Sequence, residues 1–175
     1  RASKYVITRV SYLHIPLGVT MSLIAIPHGG VLVNLYADAN EVIKLKNKTQ
    51  EMKSWDLSAK QLCDLELLMN GGFSPLIGFL SEADYISVCN DMRLKNGILW
   101  PMPINLDVSN DFSENISVGE EIVLRHPEGI PLAVMQITDK WKPNREIEAL
   151  AVFGTTDTAH PGVKNLLENT NPTYL

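Results

Sequence analysis

Residues 58–79, reading Ser-Ala-Lys-Gln-Leu-Cys-Asp-Leu-Glu-Leu-Leu-Met-Asn-Gly-Gly-Phe-Ser-Pro-Leu-Ile-Gly-Phe, encode a helix whose two ends are both specified, and the rest of the chain has to be arranged around it. Ser58 can accept from an amide of the first turn while Gln61, three residues on, reaches back to the Ser58 amide, so two otherwise unpaired donors are satisfied together. Leu62, Leu65, Leu68 and Met69 fall on one side at helical spacing. Asn70, Gly71 and Gly72 end the helix, because a left-handed residue past the last turn suits glycine or asparagine. Pro75 and Gly78 stop the apolar run that follows from being helical. Phe73, Leu76, Ile77 and Phe79 are therefore expected to pin a tight turn into a core.

Composition limits what surrounds this unit. With 175 residues, 45% hydrophobic and 20% charged, the chain suits one domain with a substantial core. Its formal net charge is −5, yet residues 1–20 carry Arg1, Lys4 and Arg9 and no acid. The rest sets 12 of the 15 basic residues against all 20 acids, a balance of −8. A nucleic-acid surface needs basic side chains to neutralise phosphates, so this sign argues against one. No run reaches the ~18 apolar residues of a membrane helix. Cys63 and Cys89 fall in expected helices without the CxxC or Cys/His spacing of zinc sites, and read as buried free thiols of a reducing compartment such as the cytoplasm. Residues 1–20 form a basic arm with Ser3, Thr8, Ser11 and Tyr12, and Met21 follows directly. That composition fits an organellar presequence, and also a natural arm or an added extension.

Short apolar runs at 22–26 and 31–35 flank a Gly29-Gly30 turn, which lacks the Lys-Ser/Thr entering a helix that a phosphate loop requires. Residues 38–52 read as a polar helix with Val42, Ile43 and Leu45 as its apolar positions and Lys44, Lys46 and Lys48 solvated. Ser81 with Asp84 opens another helix of about eleven residues, striped by Tyr85, Val88, Cys89 and Met92. Residues 98–108 alternate as a strand with Ile98, Trp100, Met102, Ile104, Leu106 and Val108 on one face. Pro101 and Pro103, lacking donors, make it an edge or interrupted strand. Residues 121–126 and 132–138 form a hairpin about Pro127-Glu128-Gly129. Asn144 caps a helix over 145–153 that Gly154 ends, and a polar loop leads to a short helix over 163–169.

Spacing assigns no active site. No Gly-x-Ser-x-Gly elbow occurs. Asp64 and Glu66 are too close in sequence to share a helix face. Asp107, Asp111 and Glu114 lie near a strand end where they could gather a metal, but their spacing matches no calcium loop and a solvated loop explains them. His28 lacks a second ligand and reads as a turn histidine, and His126 and His160 each precede a proline, as turn residues do.

The longer runs say more. Residues 61–79 resemble the signature of the amino-terminal domain of the ATP sulfurylase (sulfate adenylyltransferase) family. Four further blocks resemble it in order: Pro-His-Gly-Gly-Val-Leu at 27–32, Met-Arg-Leu-Lys-Asn-Gly-Ile-Leu-Trp-Pro-Met-Pro-Ile-Asn-Leu-Asp-Val at 92–108, residues 132–143, and Glu-Ala-Leu-Ala-Val-Phe-Gly-Thr-Thr-Asp-Thr-Ala-His-Pro-Gly-Val at 148–163. The first of these is more like the fungal-like and bacterial branch than the animal fusion enzymes. The resemblance implies an α+β fold, a PUA-like and mostly antiparallel β barrel with packed helices over 21–165, with 166–175 starting a linker to a catalytic domain. The family joins sulfate to the α-phosphate of ATP, making adenosine 5′-phosphosulfate and pyrophosphate, with magnesium on the nucleotide.

The family's catalytic hallmark, Gln-x-Arg-Asn-Pro-x-His-x-x-His, is absent from this sequence, in which Asn-Pro occurs only as Asn171-Pro172. The resemblance thus transfers no catalytic, substrate-binding or metal residue and no cofactor. It implies a scaffolding domain, inactive alone, that docks on its own catalytic domain and helps hold a homo-oligomer, with no nucleic-acid or membrane partner. Phe73, Phe79, Trp100, Trp141 and Phe153 are candidates for core or docking surface. The alternative is a free-standing PUA-like module that binds RNA or protein without catalysis.

Overall fold

The computed structural model describes residues 25–175, so the basic arm at 1–20 and residues 22–24 of the apolar run at 22–26 lie outside the described residues. Helix α1 (Ala39–Lys48) starts at Asp38, whose carboxylate accepts from the Asn40 and Glu41 amides. Its three lysines are exposed, and Lys48 pairs with Glu121. A 3-10 turn, Thr49–Glu51, leads to the short strand β1 (Ser54–Asp56).

Helix α2 (Ala59–Asn70) has the expected start: the Gln61 amide donates to Ser58 Oγ at 3.3 Å, and the Ser58 amide donates to Gln61 Oε1 at 2.9 Å. Its end is set by Gly71 at φ +86°, where a Cβ would stand 2.4 Å from the Val33 carbonyl oxygen. Only glycine meets both demands. Helix α2 lies between two hydrophobic clusters. Leu65 and Met69 pack with Leu57, Ile122, Leu124 and Leu175, and Leu68 packs with Leu80, Tyr85, Val88 and Trp141. Burying one such leucine contributes about 1.5–3 kcal/mol, so α2 joins the two halves of the core energetically as well as in space.

Helix α3 (Glu82–Asp91) is capped by Ser81, which accepts from the Asp84 amide. Its expected stripe stops at Cys89, because Met92 adopts φ +51° as the closing residue and is exposed. The strand expected over 98–108 is reduced to β2 (Asp107–Val108), with Leu99 in an isolated bridge to Arg93. Pro101 and Pro103 interrupt pairing where donors are needed. Alternation fails there too: Met102 is exposed, whereas Pro103 and Asn105 are buried. A short helix α4 (Asn110–Glu114), begun by Ser109, follows where a loop was expected.

Strands β3 (Glu121–Arg125) and β4 (Pro131–Gln136) form the expected hairpin, with Ile122 opposite Met135 and Val123 opposite Val134. Strand β1 joins β3 in parallel, Trp55 opposite Leu124, giving the order β1-β3-β4. A parallel neighbour requires a long crossover, which α2, α3 and α4 supply. Helix α5 (Arg145–Phe153) runs from its Asn144 cap to Gly154, as its sequence predicts. Helix α6 (Pro161–Lys164) starts two residues before expectation and continues into a π turn, Asn165–Asn169. Strand β5 (Thr173–Tyr174) then pairs antiparallel with β2.

The domain is a mixed α/β assembly of helices with one three-stranded and one two-stranded sheet among the described residues. A closed, mostly antiparallel barrel is not what these ladders show, since β1 and β3 are parallel and no ladder joins the two sheets. Residues 166–175, expected as the start of a linker, put Leu166, Thr173, Tyr174 and Leu175 into the interior, where the Leu175 amide donates to the Leu106 carbonyl at 2.9 Å. The five candidate aromatics are core: Trp141 is buried, and Phe73, Phe79, Trp100 and Phe153 are half-buried against the hydrophobic clusters. Both cysteines are free, but Cys63 is exposed rather than buried because it lies on the outward side of α2, and Cys89 is half-buried.

Candidate functional site

Two buried polar knots hold the carboxyl-terminal half against α2. The first centres on Asp107 at the start of β2. Gln61 Nε2 donates to the Asp107 carbonyl and to its Oδ1, each at 2.7 Å. The Asn171 amide and Asn171 Nδ2 donate to Oδ2 at 2.8 and 3.0 Å. Both carboxylate oxygens are thus committed to the fold. Asp111 and Glu114 are exposed on α4, so the three acids do not converge. Among the described residues, no three His, Cys, Asp or Glu side chains are placed to hold a metal ion.

The second knot is Glu148 on α5, which is only 7% exposed. Tyr85 Oη and Tyr174 Oη both donate to its Oε2, at 3.1 and 3.0 Å. The two tyrosine rings and Trp141 pack mutually at centroid separations of 5.7 to 5.8 Å. Burial pushes the Glu148 carboxyl above the usual carboxylate range, a shift that the two hydroxyls, Arg145 and Lys60 partly offset. Burial, with the carboxylate beside them, pushes both tyrosines well above the usual phenol range. The phenols therefore stay protonated and act as fixed donors. The nearby Cys89 thiol is pushed up to about 11, first by burial and then by Glu148.

A cleft of about 140 Å³ opens beside Glu148, bounded by α5, α6 and residues 102–107. Lys60 stands at its mouth, tied to Asp64 at 2.6 Å. Asn105 also lines it, and its Oδ1 is buried without a donor. Neither Glu148 nor Asn105 was singled out by sequence reasoning. The one available signal is helical spacing, which places Glu148 and Val152 on the same side of α5, beside the fully buried Ala149.

The three described histidines serve the fold, apart from one another. His28 Nε2 donates to the Leu99 carbonyl at 2.7 Å. His126 Nδ1 accepts from the Glu128 amide in the hairpin turn. His160 Nδ1 caps α6 by accepting from the Gly162 and Val163 amides. Asp64 is buried and Glu66 exposed, on different sides of α2.

Such an arrangement defines a domain whose two polar knots join its own elements, with a small cleft beside Glu148. The chain belongs to the PUA-like domain family, whose family model matches residues 25–175. It is 43% identical over 150 residues to a sulfate adenylyltransferase of Eremothecium gossypii, a match covering 85% of this chain and 30% of that protein. It is 42% identical over 149 residues to a probable bifunctional SAT/APS kinase 2 of Sorangium cellulosum, covering 85% of this chain and 26% of that one. Among solved structures, a hexameric APS kinase from Thiobacillus denitrificans superposes with a TM-score of 0.62 at 38% identity, over 67% of this chain and 24% of that chain. The chain therefore spans about a third or less of the length of these relatives.

Proposed function

We propose that this chain is the amino-terminal, PUA-like scaffolding part of a sulfate adenylyltransferase. The whole polypeptide would make adenosine 5′-phosphosulfate and pyrophosphate from ATP and sulfate, the entry step of sulfate assimilation. The observation that carries the reading is identity at the level of 43% to a protein of which this chain spans 30%, in a domain where half-buried Asp107 and buried Glu148 are engaged in its own hydrogen bonds. Magnesium, nucleotide and sulfate are then handled by the remainder of the polypeptide, and the protein works in the cytoplasm. None of the described helices is long and apolar enough to cross a membrane. The two small sheets would be arcs of the family's PUA-like barrel.

Docking of that remainder is supported by helix α5, which buries Glu148 beside Ala149 and leaves two large apolar side chains outside. Ile147 and Leu150, one turn apart, are 58% and 59% exposed while charged Glu148 is buried, and Ile86 on the neighbouring α3 is exposed as well. An apolar strip beside a buried acid suits a surface that another part of the polypeptide covers. The hexameric relative supports assembly into homo-oligomers. The test is a full-length enzyme lacking residues 1–160, assayed for sulfate-dependent pyrophosphate release and for oligomeric state. Loss of both is expected; full activity with normal assembly would refute the scaffolding role.

A further inference from the structure

The cleft beside α5 is lined by a buried acid with one oxygen left without a donor. Glu148 takes both tyrosine hydroxyls on Oε2, and among the described residues nothing donates to its Oε1. Asn105 is 7% exposed, and its Oδ1 is buried without a donor. That oxygen is closed off from solvent, so it is not an acceptor open to a ligand. Asp107 offers no competing oxygen, since both of its own are already bonded. The two cations nearby are engaged elsewhere: Lys60 with Asp64, and Arg145 with the Asn171 carbonyl. Met102, Val152, Phe153 and Leu166 give the rest of its lining an apolar part.

We propose that this cleft is a binding site for a small organic cation, a primary ammonium on a compact apolar body. Its ammonium would donate to Glu148 Oε1, with the apolar body against Met102, Val152, Phe153 and Leu166. A hydrogen bond between an ammonium and a carboxylate is roughly twice as strong as a neutral one, so a ligand supplying an N–H donor and a positive charge is favoured over a neutral one of the same shape. The cleft's volume of about 140 Å³ suits a single aromatic ring, since an engineered protein cavity of ~150 Å³ holds benzene. The inference rests on this chain's own residues and stands whether or not the sulfate adenylyltransferase reading does.

The probe is benzylammonium, titrated calorimetrically into the 175-residue chain at neutral pH, with benzyl alcohol as its neutral counterpart. The expected result is saturable one-to-one binding with a Kd of about 1 mM or below, and binding of the alcohol weaker by about tenfold or more. Glu148→Gln, which retains an acceptor for the tyrosines, should weaken benzylammonium by about tenfold or more while leaving the alcohol unchanged. Val152→Phe, which narrows the cleft at its apolar part and keeps the glutamate, should abolish both, and it decides the matter if the glutamine variant fails to fold. Absence of saturable binding, equal binding of amine and alcohol, or unaltered binding in Val152→Phe would overturn the proposal.

Discussion

Gln61 is the residue through which the start of α2 is tied to the carboxyl-terminal half, and it is 1% exposed. Its Oε1 accepts from the Ser58 amide at 2.9 Å and from Trp55 Nε1 at 3.3 Å, while its Nε2 donates twice to Asp107 at 2.7 Å. Gln61→Ala removes all four bonds. Losing a cap partner costs about 0.5–2 kcal/mol and stranding a buried polar group about 1–3 kcal/mol, so a destabilisation of about 3 kcal/mol is expected. In a domain of this size that lowers Tm by about 6–12 °C. Gln61→Glu is the sharper probe, because it preserves shape and the Ser58 bond but sets a second carboxylate oxygen against Asp107. It should be less stable than Gln61→Ala at neutral pH, and the gap should close on acidification as one carboxyl takes a proton. Urea unfolding followed by tryptophan fluorescence reads both, with Trp55 reporting locally. An alanine variant within about 0.5 kcal/mol of the parent, or a glutamate variant as stable as the parent at neutral pH, would refute the role given to this knot.

Other predictions follow from single contacts. The Glu148 carboxyl is raised in the folded chain, so the stability tied to it is full below the ordinary glutamate range and is lost as pH rises through its folded value. Denaturant midpoints of Glu148→Gln should lack that decline, and an unchanged pH profile would contradict the burial argument. Gly71→Ala combines a left-handed backbone with a 2.4 Å approach to the Val33 carbonyl and should cost about 2 kcal/mol or more in thermal melts. Cys63 is exposed and Cys89 is held protonated with a pKa of about 11, so a thiol reagent should titrate one fast site that Cys63→Ser removes. A second fast thiol in that variant would show that Cys89 is not shielded.

What could be read from the sequence is what local chemistry decides. Ser58, Ser81 and Asn144 each cap the helix expected of them, Gly71 and Gly154 end helices, and the hairpin about residues 127–129 forms between the expected strands. What stayed hidden depends on partners distant in the chain. Strand β1 has three residues and no alternation, and exists because β3 lies beside it. Residues 98–106 carry a strand's alternation, yet pairing fails because two prolines withhold donors. On α5 part of the apolar pattern points outward: Ile147 and Leu150 are exposed while Glu148 faces in beside Ala149, bonded there by the hydroxyls of Tyr85 and Tyr174 from elsewhere in the chain. The cleft beside it was illegible for the same reason, since Asn105 and Glu148 meet only through the fold.

The central claim is that this domain supports catalysis without performing it. It is tested most directly by incubating the isolated 175-residue chain with magnesium, ATP and sulfate and measuring sulfate-dependent release of pyrophosphate. The account predicts none above the uncatalysed rate. Sustained, sulfate-dependent turnover by this chain alone would contradict it.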